Sequence, residues 1–193
     1  MGQLCRAADM RDLPAVLEIL SQGREYLRQQ GVNQWQDADG YPDPGTVRAD
    51  IARGECFIWE EDGRILASAV CSLREESTYR HIVQGAWKTQ GPYAVIHRAA
   101  SAASARRLGA MSRLLGALLD CVQKKGLRSV RIDTHEDNRP MRCFLKRMGF
   151  LECGIIRLSS GALRVAYERP FSAQKQEGGT CQNPPDYGKL NRS

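Results

Sequence analysis

The middle of the chain carries its clearest hydrophobic pattern, an apolar stripe at helical spacing that lies between two extended apolar runs. The stripe predicts an amphipathic helix with one buried face; its members are Met111, Leu114, Leu115, Leu118, Leu119 and Val122. Lys124 and Lys125 suit the negative end of the helix dipole, and Gly126 can take the left-handed conformation that ends a helix. The runs Tyr93 to Ala100 and Leu127 to Asp133 predict strands on either side, and the second should pair in parallel because it follows a helix.

The N-terminal pattern predicts a strand followed by a helix. Leu4 to Ala8 can form the strand, after which Asp9 is expected to cap a helix that runs to about Gln30. Gly31 ends it. Its apolar stripe consists of Leu13, Val16, Leu17 and Leu20.

A loop rich in amides, carboxylates and prolines follows, from Val32 to Pro44. It carries two large aromatic residues, Trp35 and Tyr41. These rings have two open interpretations: the loop packs them on the core as a lid, or they contact a substrate.

The next segments predict a short helix and a hairpin. Thr46 to Arg53 reads as the helix, and Glu55 to Glu60 and Ile65 to Leu73 as antiparallel strands joined at Asp62-Gly63, a strong turn signal. The segment from Arg74 to Pro92 is polar and irregular and predicts a connection.

The C-terminal part predicts a capped helix and a second hairpin. Asn138 caps the helix, Gly149 closes it, and its buried face consists of Met141, Phe144, Leu145 and Met148. The hairpin strands are Gly154 to Leu158 and Leu163 to Glu168. Residues 1–170 are thus expected to form one domain, and residues 171–193, which lack periodicity, a disordered tail.

Composition narrows the classes of function. With a net charge of +6 spread over 193 residues, the Lys and Arg side chains are scattered, so a nucleic-acid partner is not expected. No apolar run is long enough for a membrane span, and the seven cysteines show no metal-ligand spacing. We expect a cytoplasmic protein without a metal.

The loop before the central helix suggests an anion site. Arg106-Arg107-Leu108-Gly109-Ala110-Met111 stands between a strand and a helix start, where free backbone N–H groups can bind a pyrophosphate. Met111 also begins the apolar stripe, so we expect it to be helical, with its side chain in the core and its N–H free.

The order of elements over residues 4 to 170 resembles the GNAT superfamily of N-acetyltransferases. The loop matches the pattern Gln/Arg-x-x-Gly-x-Gly/Ala except that Met111 replaces the last small residue. Further matches are Asp133-Thr134-His135, Asn138 after that strand, and the helix ending Met148-Gly149-Phe150.

This resemblance implies an α/β (α+β) fold with a mixed, splayed sheet flanked by helices on both faces. The sheet should part between Tyr93–Ala100 and Leu127–Asp133, where the pantetheine arm of acetyl-CoA enters. The implied cofactor-binding residues are Ala99, Ala100, Ser101, Arg106, Arg107, Leu108, Gly109, Ala110, Met111, Ser112 and Asn138.

Transfer of an acetyl group to an amine requires a base, because an ammonium has no lone pair for attack. His97 is the first candidate for this base. Its side chain has two alternative roles: it orients the substrate, or it forms a hydrogen bond within the sheet. Asp133 and His135 could relay protons through water, or Asp133 could pair with Arg98 or Arg131.

The leaving thiolate has no obvious proton donor. Many members of the superfamily place a Tyr where Leu145 stands here, so Tyr167, Cys143 or water is a substitute. Tyr167 can equally fill the core at the end of the last strand.

These features predict an N-acetyltransferase that joins acetyl-CoA and a primary amine in a ternary complex, by direct attack. The expected amine belongs to a small molecule or a peptide, and Trp35, Tyr41 and His135 are its candidate contacts. The sequence leaves open whether the protein forms a homodimer. The alternative is a non-catalytic acyl-CoA binding or sensing domain.

Overall fold

The computed structural model describes residues 2–36 and 40–171. The predicted tail lies outside this range apart from Phe171, which packs against the core.

One mixed sheet organises the described part of the chain. Its strands lie in the order β1-β2-β3-β5-β6-β8-β7-β4. They are β1 Gln3–Ala7, β2 Cys56–Glu61, β3 Arg64–Ser72, β4 Gln84–Gly85, β5 Tyr93–Ser101, β6 Ser129–Thr134, β7 Leu151–Arg157 and β8 Leu163–Pro170. All neighbours pair antiparallel except β5 and β6, which are parallel as predicted.

Helices cover both faces of this sheet. They are α1 Leu13–Gln29, α2 Pro44–Ala52, α3 Ala110–Lys124 and α4 Arg139–Arg147. Val70 of β3 borders a small cavity together with side chains of α1 and α2, whereas Cys71 lies beside Cys121 of α3. Successive strand residues point to opposite faces, so α1 and α2 lie on one face and α3 on the other. The predicted fold class is confirmed.

The two parallel strands separate after a short paired region. Only Tyr93–Val95 pairs with Ser129–Arg131, although both strands continue beyond it. Ile96, His97, Ala100 and Ser101 keep their pairing with β3, and this part of β5 presents its other backbone edge to a gap. The expected splay of the sheet is therefore present.

A β-bulge lies in the unpaired part of β5. The register with β3 shifts between Ser68 and Val70, and Arg98 has a φ of 49°. A bulge bends and twists its strand and re-aims side chains, here beside the gap.

The helix prediction at the N-terminus needs one correction. Asp9 does not cap α1; the N-cap is Asp12. The backbone N–H of Asp9 donates to Asp12 Oδ2 at 2.8 Å, which closes a turn, and Pro14 then occupies the first turn, where its missing N–H costs nothing.

The connection between β3 and β5 is more ordered than its composition suggested. It contains a 3₁₀ turn, Ser77–Tyr79, and the short strand β4. Tyr79 is 1% exposed and stacks on Trp87 at 5.9 Å between ring centroids. The two rings belong to a segment without hydrophobic periodicity, so local pattern could not predict their contact.

Candidate active site

A cavity of about 1140 Å³ runs through the splay between β5 and β6. Its walls come from the loop after α1, the 3₁₀ turn, the far half of β5, the start of α3, the end of β6, and α4. The separation of the two parallel strands thus places backbone, helix ends and loops around one space.

One end of the cavity is formed by the N-terminus of α3. Gly109 is the N-cap, with φ 87°, and no side chain caps the helix. The first N–H groups of a helix have no partner within it, and Gly109, Ala110, Met111 and Ser112 all border the cavity. This end can bind an anion through backbone N–H groups and the helix dipole.

The two arginines of the loop have different roles. The Arg106 guanidinium donates to Gln22 O at 2.6 Å and lies 4.5 Å from the Tyr26 ring centroid, so it fixes the loop on α1. Arg107 is exposed and borders the cavity. Leu108 is 65% exposed and lies outside the cavity wall.

Met111 agrees with its prediction. It lies within α3 and its partly buried side chain packs against the core. The departure from the loop pattern therefore leaves the backbone at the helix start unchanged.

Ala99, Ala100 and Ser101 line the cavity along β5, and Asn138 lines it at the start of α4. The Asn138 side chain is largely occupied: Oδ1 accepts the N–H of Met141 at 3.2 Å as a helix cap, and Nδ2 donates to Gln34 Oε1 at 3.2 Å.

Gln34 connects the loop after α1 to the end of β6. Its Oε1 accepts from Thr134 Oγ1 at 3.1 Å and from the N–H of His135 at 3.2 Å, besides Asn138. The neighbouring Trp35 is partly buried against the core and also lines the cavity.

His97 lies in the cavity wall beside a carboxylate. Its Nε2 is 2.7 Å from Glu76 Oε1. Burial alone would raise the pKa of Glu76, but the hydrogen bond with His97 and the surrounding cations lower it below its usual value. An ionised carboxylate only accepts hydrogen bonds, so Nε2 carries the proton and Nδ1 of neutral His97 is left as the proton acceptor.

Asp133 lies deeper in the same wall. Its Oδ1 accepts the hydroxyl of Tyr79 at 2.5 Å, and the Tyr79 ring meets the His97 ring edge-on at 5.8 Å. Burial raises the pKa of Asp133 above its usual value, although the Tyr79 hydrogen bond opposes this shift.

The predicted alternative partners of Asp133 are engaged elsewhere. Arg98 forms an ion pair with buried Asp50 at 2.7 Å and donates to the Tyr41 hydroxyl at 2.6 Å. Arg131 forms an ion pair with Glu168 at 3.1 Å. Pairing of Asp133 with Arg98 or Arg131 is therefore wrong, because both guanidinium groups already have a buried carboxylate.

The structure does not bring all candidate residues to the cavity. Trp35, Tyr41, His97 and Asp133 line it, whereas His135 and Tyr167 do not. Tyr167 pairs with Ile132, the residue before Asp133, so its side chain lies on the opposite face of the sheet from that of Asp133. There its hydroxyl donates to Glu152 Oε2 at 3.0 Å and accepts from Arg142 Nε at 3.0 Å.

Neither metal-binding clusters nor membrane-spanning helices occur in the described part of the chain. Residues 2–36 and 40–171 contain no group of three or more His, Cys, Asp or Glu side chains placed to hold a metal ion. None of the helices within these ranges is long and apolar enough to cross a bilayer.

A splayed mixed sheet with an uncapped helix N-terminus at one end of the gap is the architecture of an acyltransferase. Comparison with known proteins agrees: the model of the acetyltransferase (GNAT) family matches residues 18–150. The chain belongs to this family.

Solved structures extend this comparison. A GNAT acetyltransferase from Streptococcus agalactiae is 27% identical, with a TM-score of 0.77 over 89% of this chain and 97% of that chain. The ribosomal-protein-S18-alanine N-acetyltransferase of Escherichia coli is 18% identical, with a TM-score of 0.62 over 93% of this chain and 100% of that chain.

The PaiA N-acetyltransferase of Thermoplasma acidophilum, solved in complex with coenzyme A, is 13% identical, with a TM-score of 0.64 over 89% of this chain and 100% of that chain. Because the Escherichia coli and Thermoplasma acidophilum proteins are 18% and 13% identical to this chain, their similarity supports the fold and nothing more specific. No curated protein matches the chain at a significant level.

Among the residues of the cavity wall that sequence reasoning missed, Glu76, Tyr79 and Gln34 form hydrogen bonds with predicted site residues. All three lie in segments without periodicity. Their contacts with His97, Asp133 and Asn138 span 21 to 104 residues, so no local signal identified them.

Proposed function

We propose that the protein is an N-acetyltransferase that transfers the acetyl group of acetyl-CoA to a primary amine by direct attack in a ternary complex. The observation that carries this proposal is the single cavity that joins the free N-terminus of α3 to the His97–Glu76 pair. One end suits a pyrophosphate and the other can accept a proton, as acetyl transfer to an amine requires.

The cofactor would lie with its pyrophosphate on the N–H groups at residues 107–112 and its pantetheine arm along the free edge of β5 at Ala99–Ser101. Backbone N–H groups of that edge would stabilise the oxyanion that forms at the thioester carbonyl, often a large contribution to catalysis. Gly109 carries no Cβ, which leaves room for phosphate oxygens.

His97 is the proposed general base. Glu76 holds the ring through Nε2 and leaves Nδ1 to take the proton of the amine, directly or through water. The amine nitrogen then attacks the carbonyl carbon, and the C–S bond breaks to release coenzyme A as a thiolate.

Asp133 keeps a supporting role in this proposal, since its hydrogen bond fixes Tyr79, whose ring packs on the edge of His97. Neither Tyr167 nor Cys143 lines the cavity, so water is the proposed proton source for the thiolate. Leu145 is fully buried and takes no part.

We also propose a cytoplasmic location. The thiols of Cys5, Cys56, Cys71, Cys121, Cys143 and Cys153 are free, which suits a reducing compartment.

A thiol-release assay tests the proposed function. Full-length protein, acetyl-CoA and a panel of primary amines should release coenzyme A at a rate that depends on the amine and yields the N-acetyl product. If acetyl-CoA binds but no amine is acetylated, the alternative of a non-catalytic acyl-CoA binding domain is correct.

A further inference from the structure

A buried arginine in the cavity wall has no carboxylate partner among residues 2–36 and 40–171. Arg164 of β8 is 9% exposed and lines the cavity. Its hydrogen bond within the described residues runs from one terminal nitrogen to Leu163 O at 2.9 Å. Arg98 and Arg131, in contrast, each have a buried carboxylate. A guanidinium this far removed from water normally has an anionic partner, and the other N–H groups of Arg164 are left for one.

Arg164 lies on the same side of the gap as the proposed base. Asp133 pairs with Ala166 in the sheet, and Arg164 precedes Ala166 by two residues, so all three side chains share one face. Asp133 also interacts electrostatically with both His97 and Arg164. His97 lies on β5 and Arg164 on β8, the two strands that flank β6, so the two residues lie on either side of Asp133.

Asp133 does not neutralise Arg164. The two side chains form no ion pair, and Asp133 instead accepts the Tyr79 hydroxyl at 2.5 Å. Burial raises the pKa of Asp133 despite the positive charge of Arg164, which is the behaviour of a carboxyl group without a close counter-ion.

We propose that Arg164 binds a carboxylate of the acceptor, so that the substrate is a small amine carrying a carboxylate, such as an amino acid. This inference rests on the proposed function. Glu76 and Arg164 present opposite charges across the acceptor side of the cavity, which matches a zwitterion with its amine at His97. The planar guanidinium fork suits bidentate binding of a carboxylate.

The wall beside Arg164 offers further donors. Ser159 and Ser160, in the turn between β7 and β8, line the same cavity and are exposed. Their hydroxyl groups can complete the coordination of carboxylate oxygens.

The test compares matched acceptors on the full-length enzyme with acetyl-CoA. Thiol release is measured for α-amino acids, for the carboxamide of each, and for amines that carry a phosphate instead. We expect kcat/KM for an accepted amino acid to exceed that for its amide by about 10- to 100-fold, the usual worth of hydrogen bonds to a charged group.

Arg164→Met removes the charge and keeps much of the side-chain volume. In this variant KM for the amino acid should rise about 10- to 100-fold, and kcat/KM for the acid should approach that for the amide. KM for acetyl-CoA and kcat/KM for the amide should stay unchanged. Arg164→Lys should restore part of the preference, and Arg157→Met, which alters an exposed arginine outside the cavity wall, should change nothing.

The outcomes separate the two proposals. Equal use of acids and amides by the unaltered enzyme, or a preference for the phosphate-bearing amines, overturns the carboxylate assignment while acetyl transfer stands. An equal loss for acid and amide in Arg164→Met shows a structural role and overturns it too. If no amine is acetylated although acetyl-CoA binds, the proposed function fails and this inference fails with it.

Discussion

The His97–Glu76 contact is the most informative detail at the scale of single residues. A histidine in a strand has several ordinary roles, and its position next to the splay does not choose among them. The carboxylate 2.7 Å from Nε2 supports the proposed role as base, because it fixes which nitrogen carries the proton and orients the ring.

Substitution of either member of this pair should slow catalysis. His97→Ala should lower kcat/KM by ~10²–10⁴-fold and remove the ascending limb of the pH profile. Glu76→Gln should also lower kcat/KM, because the carboxylate that orients the ring through Nε2 is lost. Acetyl-CoA affinity should stay the same in both variants. A His97→Ala enzyme that keeps the limb and only binds the amine more weakly would falsify the role as base and leave orientation of the acceptor.

Gly109 is the second residue on which the proposed function depends, since it begins the proposed anion site. Its φ of 87° is one that L side chains rarely adopt, and a Cβ there would meet only the Arg113 side chain, 3.5 Å away. Neighbouring protein atoms therefore leave room for a side chain at position 109. Glycine is required there by the backbone conformation and by the expected phosphate.

Gly109→Asp should abolish binding of acetyl-CoA, since it places a negative charge at the anion site, and should cost about 1–2 kcal/mol of stability from the left-handed conformation. Isothermal titration and a thermal melt measure the two effects. Gly116→Asp adds the same charge in α3, where a Cβ meets nothing within 4 Å, and should retain binding. Equal affinities in the two variants would place the pyrophosphate elsewhere.

At the scale of elements, Glu55 ties α2 to β3. Its carboxylate accepts from Arg53 Nε at 2.9 Å, Arg74 Nε at 2.7 Å and Ser72 Oγ at 3.1 Å. Burial would raise the pKa of Glu55, but these hydrogen bonds outweigh it and lower the pKa to about 2. These hydrogen bonds hold Arg53 and Arg74 in place, and both arginines line the cavity.

Stability should reflect this pKa. A folded pKa of about 2, below the usual 4.5, means that Glu55 stabilises the fold fully above pH 4.5 and loses this effect as pH falls towards 2. Glu55→Gln should therefore lower the free energy of unfolding by ~1–3 kcal/mol at pH 7, with a smaller difference in acid. Denaturant unfolding at several pH values measures it. Glu25→Gln, which breaks an exposed pair with Arg28, serves as the control and should lower stability much less than Glu55→Gln. A pH-independent difference for Glu55→Gln would contradict the argument.

At the scale of the whole molecule, the sheet consists of two antiparallel units that meet at β5 and β6. The parallel contact of β5 and β6 is limited to Tyr93–Val95 and Ser129–Arg131, and beyond it each strand stays bonded to its own antiparallel partner. The site is therefore a seam between two antiparallel units, and a ligand in the seam contacts both.

Coenzyme A should accordingly stabilise the entire fold. At a hundredfold excess over Kd, a ligand that binds only the native state adds roughly 2.7 kcal/mol, which raises Tm by about 5–10 °C for a domain of this size. Differential scanning calorimetry measures the shift, and Gly109→Asp should lack it. An unmoved Tm at millimolar acetyl-CoA, with a rise from an unrelated nucleotide, would show that the cofactor assignment is incorrect.

The sequence by itself determined the elements whose signals are local. The stripe of α3, the Asp62-Gly63 turn and the Asn138 cap each lie within one element, so periodicity and capping chemistry identified them. The loop before α3 indicated an anion site, and the resemblance to the GNAT superfamily implied the splayed sheet.

Only the tertiary structure decided which side chains meet in the cavity. Glu76 reaches His97, Tyr79 reaches Asp133, and Tyr167 faces away from Asp133 through the alternation of β6 and β8. These relations depend on strand register and on an aperiodic connection, and a shift of one residue in register reverses the face of every side chain. For that reason the sequence could predict the helix N-terminus proposed to bind the cofactor, whereas the contacts at the proposed acceptor end follow from packing.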